Sequence, residues 1–269
     1  MSEPLLAITD LGIAYPAPGG ERLVVDGVSL CCERGAVHGL VGESGSGKST
    51  TAMAVPGLLP MQARVRSGSI RFDGAELLGM TTAGLQRLRG RRIGVVFQDP
   101  MSALNPFLRI GTQLTEHQRL HLGCGRRSAE RRAVALLERV GIDRPGERLR
   151  HYPHQFSGGQ RQRIMIAAAL ACDPDLLIAD EPTTALDVTI QAEILQLIRE
   201  LQRERELAML LITHDLGVIA QTCDQVSVLA GGCLVEQAPV RRLFSAPAAS
   251  ATRELLAAVP VIPPPEAEA

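Results

Sequence analysis

Aromatic side chains are scarce in this chain, with no Trp, two Tyr and five Phe in 269 residues. A base-stacking platform for single-stranded nucleic acid needs several exposed rings, and this composition excludes one. An excess of either charge is also missing. Lys and Arg together number 28 against 29 Asp and Glu, a formal net charge of −1. No bulk field draws such a chain to nucleic acid or anionic lipid, so no nucleic-acid partner is expected. CxxC spacing is absent. The six cysteines, Cys31, Cys32, Cys124, Cys172, Cys223 and Cys233, are scattered, and read as small buried hydrophobes in a reducing compartment rather than as metal ligands or disulfides. The opening MSEPLLAITDLG has no basic stretch followed by an apolar one, so no signal peptide is expected. No run of 18 apolar residues occurs, so the chain is not expected to cross a membrane by itself.

What is present is an ordinary globular balance, 45% hydrophobic and 21% charged residues. The length suffices for one domain with a subdomain, or for two small domains. Residues 4–41 read as strands with a turn at APGGER, and AVHGLVG is a buried-strand run that ends in glycine. A helix is expected from Gly47, stopping or kinking near Val55 because Pro56 follows. SGSIRFDGAEL reads as a hairpin turning at Asp73–Gly74, and RIGVVFQ, 92–98, as a buried strand. From about 105 to 165 the pattern becomes helical, with SAERRAVALLERVGI closing on a glycine stop. DLLIADE and LAMLLITHD read as strands, VTIQAEILQLIRELQRE between them as an amphipathic helix, and VSVLAGGCLVEQ as the end of the sheet. The tail PVIPPPEAEA is Pro-rich and acidic and is expected to be disordered from about 260. Strands alternating with helices imply an α/β fold with a mostly parallel sheet.

The chemistry concentrates at a few points. Gly42, Glu43, Ser44, Gly45, Ser46, Gly47, Lys48 and Ser49 match G-x-x-x-x-G-K-[ST] between a predicted strand and a predicted helix, with Thr50 one residue on. In that context the backbone amides and the helix N-terminus cradle phosphates. Lys48 bridges the β- and γ-phosphates, and the Ser49 hydroxyl is a Mg²⁺ ligand. LLIADE delivers Asp180 and Glu181 to the carboxyl end of a strand, where ligands bind in open α/β sheets. Asp180 suits the Mg²⁺ shell, and Glu181 suits a general base for an attacking water. Gln98 after RIGVVFQ can reach Mg²⁺ or that water, and His214 after LLIT can bond the γ-phosphate or orient the water. Tyr15, 27 residues before Gly42, can stack on adenine. HYPHQFSGGQRQR, 151–163, is a second glycine loop without a lysine of its own. Arg161 and Arg163 beyond it read as a solvated helix face.

Taken in order, GESGSGKS, Gln98, FSGGQ, LLIADE, Ala185-Leu186-Asp187 and His214 resemble the ATP-binding cassette (ABC) ATPases over about residues 5–245. The resemblance implies a phosphate-loop cassette with a RecA-like core, an antiparallel β subdomain and an α-helical signature subdomain at about 103–170, then a short extension over 246–269. It implies that Ser157, Gly158, Gly159 and Gln160 bind the γ-phosphate held by another cassette, docked head to tail. It also implies that Asp187 lies next to the opposing phosphate loop.

VGESGSGKST, QDPMSALNP, YPHQFSGGQRQRIMIA and DEPTTALDVTIQAEIL look like the peptide/nickel subfamily of bacterial import ATPases. That implies cargo of di- or oligopeptides or of nickel. It further implies two membrane permease subunits, a second ATPase (identical or a sibling), an extracytoplasmic binding protein, and a peripheral position on the cytoplasmic face of the membrane. The ending after ATRELLAAVP is similar to that of the nickel and metallophore importers. A DNA-maintenance or translation-associated ATPase of the same superfamily is the alternative. The first inserts long coiled-coil heptads, absent here, and the second carries two cassettes in one chain.

Overall fold

The computed structural model describes residues 3–183 and 187–258. The readings that fell on Ala185, Leu186 and the tail from 260 lie outside the described residues. The chain opens with β1 (Leu6–Ala17), β2 (Gly20–Cys32) and β3 (Val37–Gly42), then α1 (Lys48–Ala54). α1 stops at Val55, the residue before Pro56, because proline disfavours helical backbone in the residue that precedes it. β4 (Arg64–Phe72) and β5 (Ala75–Glu76) form the expected hairpin. Asp73 and Gly74 both have positive φ, 51° and 76°, as a tight Asp-Gly turn requires.

Next come α2 (Thr82–Leu88) and β6 (Ile93–Val96). β6 is shorter than the expected 92–98. Phe97 and Gln98 leave the sheet because Asp99 caps the next helix through the amides of Met101 and Ser102. A run of helices follows: α3 (Pro100–Ala103), α4 (Ile110–Leu122), α5 (Arg126–Arg139), α6 (Pro145–Arg148) and α7 (Gly158–Ala169). The chain then alternates through β7 (Leu176–Asp180), α8 (Val188–Glu204), β8 (Ala208–Thr213), α9 (Leu216–Thr222), β9 (Gln225–Ala230) and β10 (Cys233–Pro239), and ends in α10 (Val240–Ser245) and α11 (Ser250–Ala257).

Two sheets result. One is antiparallel, in the order β2-β1-β4-β5, and the other runs β10-β9-β3-β8-β7-β6. In the second sheet the pairs β9·β3, β3·β8, β8·β7 and β7·β6 are parallel, and only β10 is antiparallel. β7 and β8 are buried along their whole length, which is why they read as continuous apolar runs. Their side chains alternate between two cores. Leu177, Ala179, Met209 and Leu211 face the core built with α5, α7 and α8. Leu176, Ile178, Ala208, Leu210 and Ile212 face the core shared with β1, β2, β4 and α1. The mostly parallel sheet is therefore the middle layer, covered by helices on one face and by α1 and the antiparallel sheet on the other.

Candidate ATP site

Parallel register places the candidate residues in a row. Val41 of β3 pairs with Thr213 of β8, Ile212 of β8 with Asp180 of β7, and Ala179 of β7 with Val96 of β6. The residues that leave these four neighbouring strands at their carboxyl ends are Gly42, His214, Glu181 and then Gln98, two residues beyond β6. Neighbouring strands lie about 4.8 Å apart, so ligands of a single nucleotide can reach several of them.

The loop after β3 depends on glycine at two positions. Gly42 has φ 156°, and a Cβ there would meet Leu229 O at 2.1 Å. Gly47 is the residue before α1, at φ 96°, where a Cβ would meet Val24 O of β2 at 2.6 Å. β9 of the mostly parallel sheet and β2 of the antiparallel sheet thus press on the loop and leave no room for a side chain at either glycine. Lys48, the only lysine in the chain, is buried and donates from Nζ to Gly42 O at 2.8 Å and Glu43 O at 2.7 Å. Burial lowers its pKa, while the charges of Glu181 and Asp180 act the other way. Ser46 Oγ is buried in the same loop with no hydrogen-bond partner among the described residues. An orphaned hydroxyl and an ammonium resting on carbonyls are groups that an incoming phosphate satisfies.

Ser49 donates from Oγ to Asp180 Oδ1 at 2.9 Å. Burial raises the Asp180 pKa; the Ser49 hydrogen bond opposes the rise and the Glu181 charge adds to it. Glu181 adopts φ 44°, a left-handed conformation uncommon outside glycine. Gln98 Nε2 donates to Glu181 Oε2 at 3.1 Å, and His214 Nδ1 lies 3.1 Å from Glu181 Oε1. The structure therefore gathers Gln98, Glu181 and His214 into one cluster, with Ser49, Asp180 and Lys48 beside it. Tyr15 sits on β1 opposite Arg22 and packs against the second core.

Ser157, Gly158, Gly159 and Gln160 form the N-terminus of α7. Ser157 Oγ accepts from Gln160 N at 3.3 Å, and Gln160 Oε1 accepts from Ser157 N at 3.1 Å, a reciprocal cap. Among the described residues no hydrogen bond joins these four to the 42–50 loop. Asp187 caps α8 by accepting from Ile190 N at 3.0 Å. The solvated-face reading of Arg161 and Arg163 fails. Arg163 is held by Val140 O and Glu193, and Arg161 reaches Met101. Sequence reasoning also passed over Gln162. Its signal was available, since it shares a helical stripe with the buried Met165, Ile166 and Ala169, where a polar side chain needs a partner.

A family model described as ABC transporter matches residues 25–184. The chain belongs to the ABC transporter ATP-binding family. It resembles the oligopeptide transport ATP-binding protein OppD of Bacillus subtilis, 46% identical over 259 residues, 96% of this chain and 72% of that protein. Its likeness to the dipeptide transport ATP-binding protein DppD of the same organism is also 46%, over 96% of this chain and 77% of that one. Among solved structures, the dimeric bacterial ABC transporter cassette MJ0796 superposes with a TM-score of 0.78 at 26% identity, over 88% of this chain and 99% of that one. This ABC ATPase is accordingly an ATP-binding and ATP-hydrolysing subunit of a transport system. Among the described residues, no helix is long and apolar enough to cross a membrane.

Proposed function

We propose that this chain hydrolyses ATP at a composite site shared with a second cassette, and that the cycle drives peptide uptake through membrane permeases. The observation that carries the ATPase assignment of roles is the Glu181 carboxylate, held between Gln98 and His214 beside the Ser49–Asp180 pair. The cargo class is supported by the two B. subtilis relatives, which are oligopeptide and dipeptide transport ATP-binding proteins.

In this reading the 42–50 loop binds the phosphates, with Lys48 leaving its carbonyls for phosphate oxygens, and Tyr15 supports the adenine. Ser49, Asp180 and Gln98 supply a hydroxyl, a carboxylate and an amide oxygen, a donor set that fits Mg²⁺. Bound Mg²⁺ supplies charge neutralisation at the transferring phosphoryl group. Glu181 accepts a proton from water as the water oxygen bonds to the γ-phosphorus and the bond to ADP breaks. Gln98 and His214 each engage one oxygen of Glu181, which fixes the carboxylate for the proton transfer. Ser157, Gly158, Gly159 and Gln160 offer a helix N-terminus to the γ-phosphate on the partner cassette, and Asp187 communicates between the sites.

The partners are a second ABC ATPase (a copy or a sibling), two permease subunits, and an extracytoplasmic binding protein that delivers the cargo, with this chain peripheral on the cytoplasmic face. A groove of about 200 Å³ lined by Leu58, Phe97, Leu104 and His117, with Met101 and Phe107 exposed nearby, suits a permease helix. Glu181→Gln is the test. It is expected to keep ATP affinity, lower turnover by about 10²–10⁴-fold, and trap a dimer on size-exclusion chromatography. Wild-type turnover would remove Glu181 from the role of base. In reconstituted vesicles, peptide-loaded binding protein is expected to stimulate hydrolysis and nickel-loaded protein is not.

A further inference from the structure

Three consecutive side chains after the signature residues leave α7 toward four different segments. Arg161 Nη1 donates to Met101 Sδ at 2.9 Å, in α3 just past Gln98. Arg163 donates to Val140 O at 3.0 Å, at the end of α5, and to Glu193 Oε2 at 2.7 Å, on α8. Between them Gln162, 2% exposed, donates from Nε2 to the carbonyl oxygen of Pro182, the residue after Glu181. On its other side Glu181 donates its amide to Ile212 O of β8 at 2.9 Å. The backbone around Glu181 is thus pinned to the sheet at one end and to the signature helix at the other.

We propose that Gln162 is a positioning residue that couples the signature loop to Glu181 of the same chain. Docking of Ser157–Gln160 on a partner's nucleotide then sets the orientation of Glu181 at this chain's own nucleotide. The inference rests on the function proposed above. Its physical basis is stiffness along a short path. Gln162 lies five residues from Ser157 on a capped helix, about 7 Å along the axis. A hydrogen bond keeps its geometry only within a few tenths of an ångström, so movement of the helix moves the Pro182 carbonyl. The ring of Pro182 locks its φ and limits the slack between that carbonyl and Glu181. Glu181, already in left-handed backbone, has few alternative conformations in which to absorb the shift. A buried amide on an otherwise apolar stripe is costly unless bonded, which is consistent with a specific task for Gln162.

The test uses the full chain as the ATP-hydrolysing dimer, at a temperature where circular dichroism shows every variant folded. Gln162→Leu keeps the volume and removes the donor. It is expected to lower kcat by about tenfold, leave KM for ATP within about twofold, and bring the Hill coefficient toward about 1. Gln162→Glu places a carboxylate against the Pro182 carbonyl, two acceptors facing each other. Only the protonated carboxyl can donate to Pro182 O. The kcat ratio of this variant to wild type is therefore expected to rise several-fold from about pH 8 to about pH 6, because burial raises a carboxyl pKa. A role confined to packing leaves Gln162→Leu, which keeps the volume, with the wild-type Hill coefficient. Unchanged kcat and Hill coefficient in Gln162→Leu, or a flat ratio in Gln162→Glu, overturns the coupling. Absence of hydrolysis in the wild-type dimer instead overturns the proposed function.

Discussion

Asp180 and His38 show opposite effects of burial on single residues. Burial raises the Asp180 pKa, with the Ser49 hydroxyl opposing and the Glu181 charge adding. A native carboxyl with a raised pKa binds more protons than the unfolded one. Stability therefore falls as pH rises through that interval, and the cost is complete above the raised native pKa. Asp180→Asn, whose amide oxygen can still accept from Ser49, is expected to raise the melting temperature at neutral pH while abolishing hydrolysis. The gain should be about 2–4 °C per kcal/mol relieved, and should vanish in acid, as a pair of thermal melts will read. His38 is 3% exposed, with Nε2 2.8 Å from Ser227 Oγ. Burial lowers its pKa from 6.5 to about 4. The unfolded imidazole takes a proton before the native one does, so stability is complete above pH 6.5 and falls as pH drops to about 4. The loss is up to roughly 3 kcal/mol, and His38→Gln is expected to flatten that slope in urea titrations. Neither environment was legible in the sequence. The apolar neighbours of Asp180 were visible, but Ser49 lies 131 positions away and Ser227 lies 189 from His38.

At the scale of elements, α7 and α8 pack so closely that a signature glycine carries a second demand. A Cβ on Gly159 would stand 2.9 Å from Ile190 Cγ2. Gly159→Ala is expected to cost about 1–3 kcal/mol through overpacking, besides blocking approach to a phosphate. Gly159→Ala with Ile190→Ala is expected to recover part of the stability in denaturant melts without recovering hydrolysis. Recovery of both would mean that the glycine serves packing alone. Local punctuation made many elements readable in advance. α8 spans the 17 residues read from its periodicity, α1 halts before Pro56, and the hairpin turns at Asp73–Gly74. The error over Arg161 and Arg163 has a physical cause. Helical spacing tells which residues share a face, but not that the end of α5, α3 and α8 all arrive at that face.

At the scale of the molecule, the phosphate loop and the signature loop share no hydrogen bond among the described residues, which suits two half-sites completed by another copy. Lys48→Ala and Ser157→Arg chains are each expected to be inactive. Mixing them forms one intact composite site, with the loop from the Ser157→Arg chain and the signature from the Lys48→Ala chain. Hydrolysis is therefore expected to reappear, at about half the wild-type rate per mixed dimer if the sites act independently. It is expected well below that if Gln162 couples them, because the chain that supplies the working Glu181 cannot dock its own signature. Titrating one variant into the other under steady-state assay checks this. No recovery at any ratio would mean that both loops serve the nucleotide of a single chain, or that neither site fires alone.

The sequence by itself determined the strand–loop–helix phosphate motif, the acids closing an apolar strand, and the alternation that demands a parallel sheet. These are local patterns, set by hydrogen-bonding geometry and side-chain periodicity within a few residues. Only the tertiary structure decided which strands are neighbours, and so that Gln98, Glu181 and His214 meet around one carboxylate. It alone revealed that Gln162 reaches Pro182. Such contacts arise from sheet order and helix packing between segments far apart in the chain, and no local pattern encodes them.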